Sequence, residues 1–233
     1  MPKPIARKPS AMTPRRRFWT SVALALLAAF LLLLLCGGTA VWYFGFHNRG
    51  MNLELDAARI AEAETRMWQA YYTRDMQTLG LQLVSILREQ FGLSYVTAAL
   101  AGEELAKAAA VFARSREGYD QSVLPILESA YGRIHDAAGG DWNPKAVARA
   151  ELDWWVARRT PGQDSAENVG RIIAGEYALL YGRTNPDIEE AGRLRAEAAA
   201  LRDGGGQNAD WPKIQSMLED SYRVLIQGVT GRK

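Results

Sequence analysis

The sequence predicts an all-α protein: one N-terminal transmembrane helix followed by a single irregular bundle of about seven helices. Three observations predict it. Residues 18–46 carry no charged side chain across 29 positions, longer than the roughly 20 apolar helical residues that cross a hydrocarbon core. Beyond them, apolar residues recur three and four apart, and no alternating or Val/Ile/Thr-rich run reads as a strand. Capping and breaking residues then bracket those periodic stretches at ordinary helix lengths.

Residues 1–17 read as a basic cytoplasmic tail. They hold Lys3, Arg7, Lys8, Arg15, Arg16 and Arg17 with no acid, and four prolines, which oppose regular structure. The whole chain is only +2, so subtracting these six charges leaves −4 for everything else. A mildly acidic body lacks the basic face of a nucleic-acid binder, and no nucleic acid is expected as a partner.

Residues 18–46 read as the transmembrane helix. Trp19 marks one end, and Trp42, Tyr43 and Phe44 mark the other. The helical rise separates Trp19 from Trp42 by about 35 Å, the spacing of two interfacial aromatic belts. Arg15, Arg16 and Arg17 precede the span, whereas residues 47–58 hold only Arg49 against Glu54 and Asp56. Positive charge stays inside. The expectation is a single-pass protein of the cell (inner) membrane, with the lipid bilayer as first partner and residues 47–233 outside the cytoplasm. Three rival readings fit less well. A cleaved signal peptide ending near Gly38-Thr39-Ala40 leaves unexplained the apolar run continuing from Val41 to Phe46. A lipoprotein signal at Cys36 needs a small residue where Leu35 stands. A twin-arginine signal in Arg15-Arg16-Arg17-Phe18-Trp19 has too hydrophobic a sequel. An uncleaved signal anchor is the preferred reading.

The body divides into a short linker, 47–53, an extracytoplasmic all-α domain, 54–229, and a tail, 230–233. Trp68, Tyr72, Met76, Leu79, Leu83 and Ile86 form one stripe, predicting a first helix from Leu53 to Gln90. Ser94 caps the second, which runs to Tyr119. Nine of its sixteen residues from Ala98 to Ala113 are Ala or Gly; small side chains allow close neighbours, which places this helix centrally. Pro125 marks a break, after which Leu124, Leu127, Tyr131 and Ile134 make a third stripe ending at Gly139-Gly140. Asn143-Pro144 and Asn185-Pro186 open two later helices, Asn capping the free amides and Pro occupying the first position. Between them Asp164 and Glu167 have capping-box spacing. Gly204-Gly205-Gly206 stops the sixth helix and Pro212 opens the seventh. A chain of this size buries enough surface for one core.

Most chemistry is excluded by composition. One Cys and two His supply neither a disulfide framework nor a metal centre, and no phosphate loop, nucleophile elbow, haem site or calcium loop is present. No cofactor is expected. Two constellations remain. Glu128 and His135 are two turns apart on one helix with Tyr131 between them, where a carboxylic acid could work on a sugar polymer. Glu128-Ser129-Ala130-Tyr131 resembles the Glu-Ser-x-Phe of lytic transglycosylases, which implies cleavage of cell-wall glycan. The similarity covers four residues; the Gly-Leu-Met-Gln element is absent, and Ala137 to Asn143 offers no substitute. The second constellation is Trp154-Trp155, either core or a groove anchored by a tryptophan. Arg158-Arg159 just beyond would suit a helix C-terminus or an anion. With no catalytic constellation and a short tail, the sequence favours a scaffold or accessory subunit of the envelope with a protein partner. The alternative is an extracytoplasmic enzyme or binding protein for a glycan or small molecule.

Overall fold

The computed structural model describes the backbone of residues 14–231 and the side chains of residues 26–231. Among the described residues the chain forms ten α-helices and one 3-10 turn, with no strand. Helix makes up 81% of the chain, which settles the class as all-α. The chain falls into two units, one ending at Gly45 and one beginning at Phe46.

The first unit holds α1 (Pro14–Phe46), whose last residue opens the second. The α1 segment Leu26–Phe46 has a mean hydropathy of 2.1 and is long and apolar enough to cross a membrane. Leu31 to Leu35 are each more than half exposed, as is Trp42, and Tyr43 is exposed as well. Residues 1–13, and the side chains of Arg15, Arg16, Arg17 and Trp19, lie outside the described residues.

Among the described residues, the second unit contains nine α-helices, α2 to α10, rather than about seven. The expected first helix is two: α2 (Ala57–Thr73) and α3 (Met76–Phe91). Arg74 adopts the left-handed conformation at φ 59°, the one positive-φ residue other than glycine among those described. Asp75 then accepts the Thr78 N–H at 3.0 Å and the Thr78 hydroxyl at 2.6 Å. This turn consumes so few residues that the apolar spacing runs through it unbroken, which is why periodicity alone misses it.

Ser94 caps α4 (Tyr95–Arg114), accepting from the Thr97 N–H. This helix is not central. It packs mainly on α3 and α6 (Leu124–Ala138) and leaves Val96, Ala99, Leu100 and Ala110 exposed. A short α5 (Tyr119–Ser122) lies between them. Asn143 caps α7 (Pro144–Ala157) and Asn185 caps α9 (Pro186–Gly205), as their Asn-Pro starts predict. For α8 (Ala166–Tyr181) the cap is Ser165, one residue later than expected; Asp164 instead accepts the Gly162 N–H. A 3-10 turn (Gly206–Asn208) leads to α10 (Trp211–Thr230), capped by Asp210.

Helices α8 and α9 approach closely. A Cβ on Gly170 would sit 2.7 Å from the Arg193 Cα, and one on Gly192 would strike the Gly170 carbonyl. Glycine lets these two backbones touch. The segment read as a linker is also seated: the Arg49 N–H donates to the Gly92 carbonyl at 2.7 Å, the Asn52 N–H to Gln90 at 3.0 Å, and the Ser94 N–H to the Asn48 side chain at 2.8 Å.

Buried apolar residues form two clusters. One joins α2, α8, α9 and α10 around Ile60, Trp68, Ile173, Ile188, Leu218 and Leu225. The other joins α3, α4, α6 and α7 around Leu87, Phe91, Leu127, Ile134, Val147 and Leu152. Trp155 and Tyr181 pack against both.

Candidate functional site

Between the two clusters lies a cavity of about 500 Å³, a size typical of small-molecule sites. Its walls carry Trp68 from α2, Phe112 from α4, and Trp154 and Trp155 from α7, with Leu83 and Ile86 from α3. On α4 the lining residues are Leu105, Ala106, Ala109, Phe112 and Ala113. The three alanines share one helical face. Their small side chains leave space here, while Ala98, Ala101, Gly102 and Ala108 of the same run are buried against neighbouring helices, with Leu83 of α3 close over Gly102.

Charged residues interrupt this apolar lining at two levels. At the inner level, Glu151 of α7 and Glu176 of α8 share their hydrogen-bond donors. The Tyr131 hydroxyl lies 3.1 Å from Glu151 Oε2 and 3.4 Å from Glu176 Oε1. The Trp154 indole N–H lies 3.2 Å from Glu151 and 3.0 Å from Glu176. The Trp155 indole donates to Glu151 Oε1 at 2.8 Å. Glu176 is only 4% exposed. Burial first, and the neighbouring Glu151 second, push its carboxyl well above the usual range. Two carboxyls that share donors disfavour ionising together.

A second inner group lies beside it. Arg195 Nη2 donates to Glu64 Oε1 at 2.6 Å, and the Tyr222 hydroxyl to Glu64 Oε2 at 2.5 Å. Glu64 is 1% exposed. Burial is the strongest single influence and opposes the Arg195 charge, but Glu64, Tyr177 and Tyr222 together push the guanidinium well above its usual range. Arg195 Nε is buried without a hydrogen-bond partner.

The outer level is a cationic rim. Asp203 of α9 takes the Arg158 guanidinium, Arg202 Nε at 2.8 Å and the Tyr72 hydroxyl at 3.1 Å. Although burial works against its charge, these two arginines hold the Asp203 carboxyl below the usual range. Burial, followed by repulsion from Arg202, lowers the Arg158 guanidinium. Arg159 donates to the Phe112 carbonyl at 2.7 Å and lies 3.8 Å over the Phe112 ring. Exposed Tyr71, Ala113, Arg159 and Asp203 mark the mouth.

The structure therefore brings Trp154, Trp155, Arg158 and Arg159 together on one cavity. It places Glu128 and His135 elsewhere. Glu128 borders a shallow open depression with Asn48, Thr97 and Arg133. His135 Nε2 contacts the Gly140 carbonyl at 3.2 Å, and its ring meets Trp142 edge-on at 5.0 Å. Tyr131, between them in sequence, points inward to the carboxyl pair. Sequence reasoning missed Glu64, Glu151, Glu176 and Arg195. Their signal is a charge within an apolar stripe: Glu64 stands between Ile60 and Trp68, and Glu176 between Ile173 and Leu180.

Among the described residues, no three His, Cys, Asp or Glu side chains converge as a metal site. No family model matches the chain, and no characterised protein or solved structure shows significant similarity to it.

Proposed function

We propose that this chain is a membrane-anchored binding protein, with its helical body outside the cytoplasm enclosing a small molecule. The observation that carries this reading is the 500 Å³ cavity, aromatic along its walls and charged at two levels. Convergent polar groups in an apolar chamber fix the orientation of a ligand that the walls desolvate. The exposed apolar side chains of α1 support the anchor. Each large one gains about 1.5–3 kcal/mol on leaving water, so lipid is their natural surroundings, and the preceding arginines favour a cytoplasmic N-terminus.

The test uses the full chain in lipid nanodiscs with the neutral dye N-phenylnaphthylamine, and empty nanodiscs as background. Saturable binding that disappears in Ala109→Trp, which fills the cavity, is expected. A second variant, Ala106→Phe, guards against misfolding, checked by circular dichroism. No saturable binding, or binding indifferent to both variants, refutes the reading.

A second reading, a scaffold that docks a protein partner, is favoured by one feature. Tyr95, Val96 and Leu100 expose an apolar face on α4. Crosslinking in intact cells through position 100 should trap one specific protein; a diffuse pattern argues against it. The glycan-cutting alternative finds no support at Glu128, whose depression is shallow.

A further inference from the structure

The cavity's charges are arranged as two poles. At the inner pole, Glu64 is answered by Arg195, but Glu151 and Glu176 receive hydrogen bonds only from neutral donors: Tyr131, Trp154 and Trp155. Two carboxyls there face aromatic rings with no cation bonded to them. The buried Arg195 Nε is left unpartnered on the same cavity. At the outer pole the imbalance is reversed. Arg158 and Arg202 share one carboxylate, Asp203, while Arg159 is bonded to a neutral carbonyl oxygen.

The separation of the poles follows from helix geometry. Arg158, at the C-cap of α7, is seven residues beyond Glu151, and Arg195 and Arg202 are seven apart on α9. Both helices give about 10 Å along their axes. Trp154, Trp68 and Phe112 line the wall, and the protein's own arginines already lie over their rings: Arg202 at 4.2 Å on Trp68, Arg159 at 3.8 Å on Phe112, and Arg158 and Arg195 each at 5.5 Å on Trp154.

Resting on the cavity reading above, we propose that the ligand is zwitterionic. Its ammonium group lies against Glu151 and Glu176, its acid group against Arg158 and Arg202, and an apolar chain or ring about 10 Å long joins them. A simple cation would meet the arginine rim on entry, and a simple anion would meet the acidic floor. A neutral ligand would answer neither pole. The other titratable and charged groups near the floor are Arg195, whose charge acts on Glu176, Glu64, which pairs with Arg195, and Tyr131, Tyr177, Tyr181 and Tyr222, which burial keeps neutral.

Four probes of one chain length separate the end groups: ω-aminooctanoate, octylamine, octanoate and octanol. Binding is measured by calorimetry and tryptophan fluorescence on the full chain in nanodiscs of neutral lipid, against empty nanodiscs. ω-Aminooctanoate should bind at least tenfold more tightly than each of the others. It should release protons on binding, seen as heat that varies with the buffer. Replacing both floor acids, Glu151→Gln with Glu176→Gln, should reduce it to the affinity of octanoate. Arg158→Met should reduce it towards that of octylamine. Equal affinity for all four probes, or no measurable ω-aminooctanoate binding in a protein that binds the neutral dye, overturns the charge assignment alone. Failure of the dye itself overturns the cavity reading beneath it.

Discussion

Removing Glu64 should expose how much the fold depends on a buried ion pair. Both Glu64 oxygens are engaged, one by Arg195 and one by Tyr222, and the residue is 1% exposed. In Glu64→Leu the Arg195 guanidinium remains in the interior with Nε already unpartnered, and the Tyr222 hydroxyl loses its acceptor. Breaking a buried pair from one side costs about 3–5 kcal/mol, because the surviving charge has nowhere to go. For a body of this size each kcal/mol moves Tm by about 2–4 °C, so a fall of roughly 10 °C is expected. The double variant Glu64→Leu with Arg195→Met removes both charges and keeps apolar volume. It should recover most of the loss, since exchanging a buried pair for hydrophobic side chains is often neutral or stabilising. The assay is urea unfolding of the full chain followed by tryptophan fluorescence, with Trp68 and Trp154 reporting from either side of the pair. A single-variant cost below about 1 kcal/mol would place the pair in the range of exposed bridges and refute the reasoning. So would a double variant as unstable as the sum of the singles.

Three further outcomes follow from the same contacts. Glu176 is protonated in the fold at a pH where it would be ionised in the unfolded chain, so the folded state binds the extra proton. Its contribution is complete below the usual carboxylate range and is lost as pH rises towards its raised value. Glu176→Gln should therefore flatten the decline in Tm as pH rises above the usual carboxylate range, and an unchanged pH profile would contradict this. Gly192→Ala should destabilise by about 1–3 kcal/mol through overpacking of α8 against α9, read from the urea midpoint. Asn185→Ala removes the α9 cap at 3.0 Å to the Ile188 N–H and a 2.9 Å bond to the Gly228 carbonyl. It should cost about 1–2 kcal/mol, measured in the same way.

The helical class and most helix starts were legible because they depend on local chemistry. Ser94, Asn143 and Asn185 each satisfy amides within three residues of themselves, so their role can be read without the fold. The α2–α3 break was not legible, because Arg74 supplies the left-handed turn without a glycine and the apolar spacing survives it. Nor was the setting of α4. A run of alanines marks either close approach or open space, and only the partners of each face decide which. Trp154, Trp155, Arg158 and Arg159 stood out in the sequence as one cluster and the fold keeps them on one cavity. Glu151 and Glu176 lie on different helices, and nothing local to either points to the other.

The size of the cavity bears on why α4 carries alanine there. Apolar volume left unfilled costs about 24 cal/mol per Å³. At 500 Å³ that would approach about 12 kcal/mol if the space were dry and wholly apolar, comparable to the entire stability of an ordinary domain. Solvent reaching the charged levels lowers the figure, but the direction holds: Ala106, Ala109 and Ala113 do not maximise stability at these positions. Ala109→Leu should therefore act oppositely on stability and binding. Burying the added carbons should stabilise the body by about 1–2 kcal/mol, while dye binding weakens at least tenfold. Joint measurement of the urea midpoint and the dye titration decides the matter. If Ala109→Leu destabilises the fold and leaves binding intact, position 109 faces packed protein, and the cavity would have to be closed at that wall.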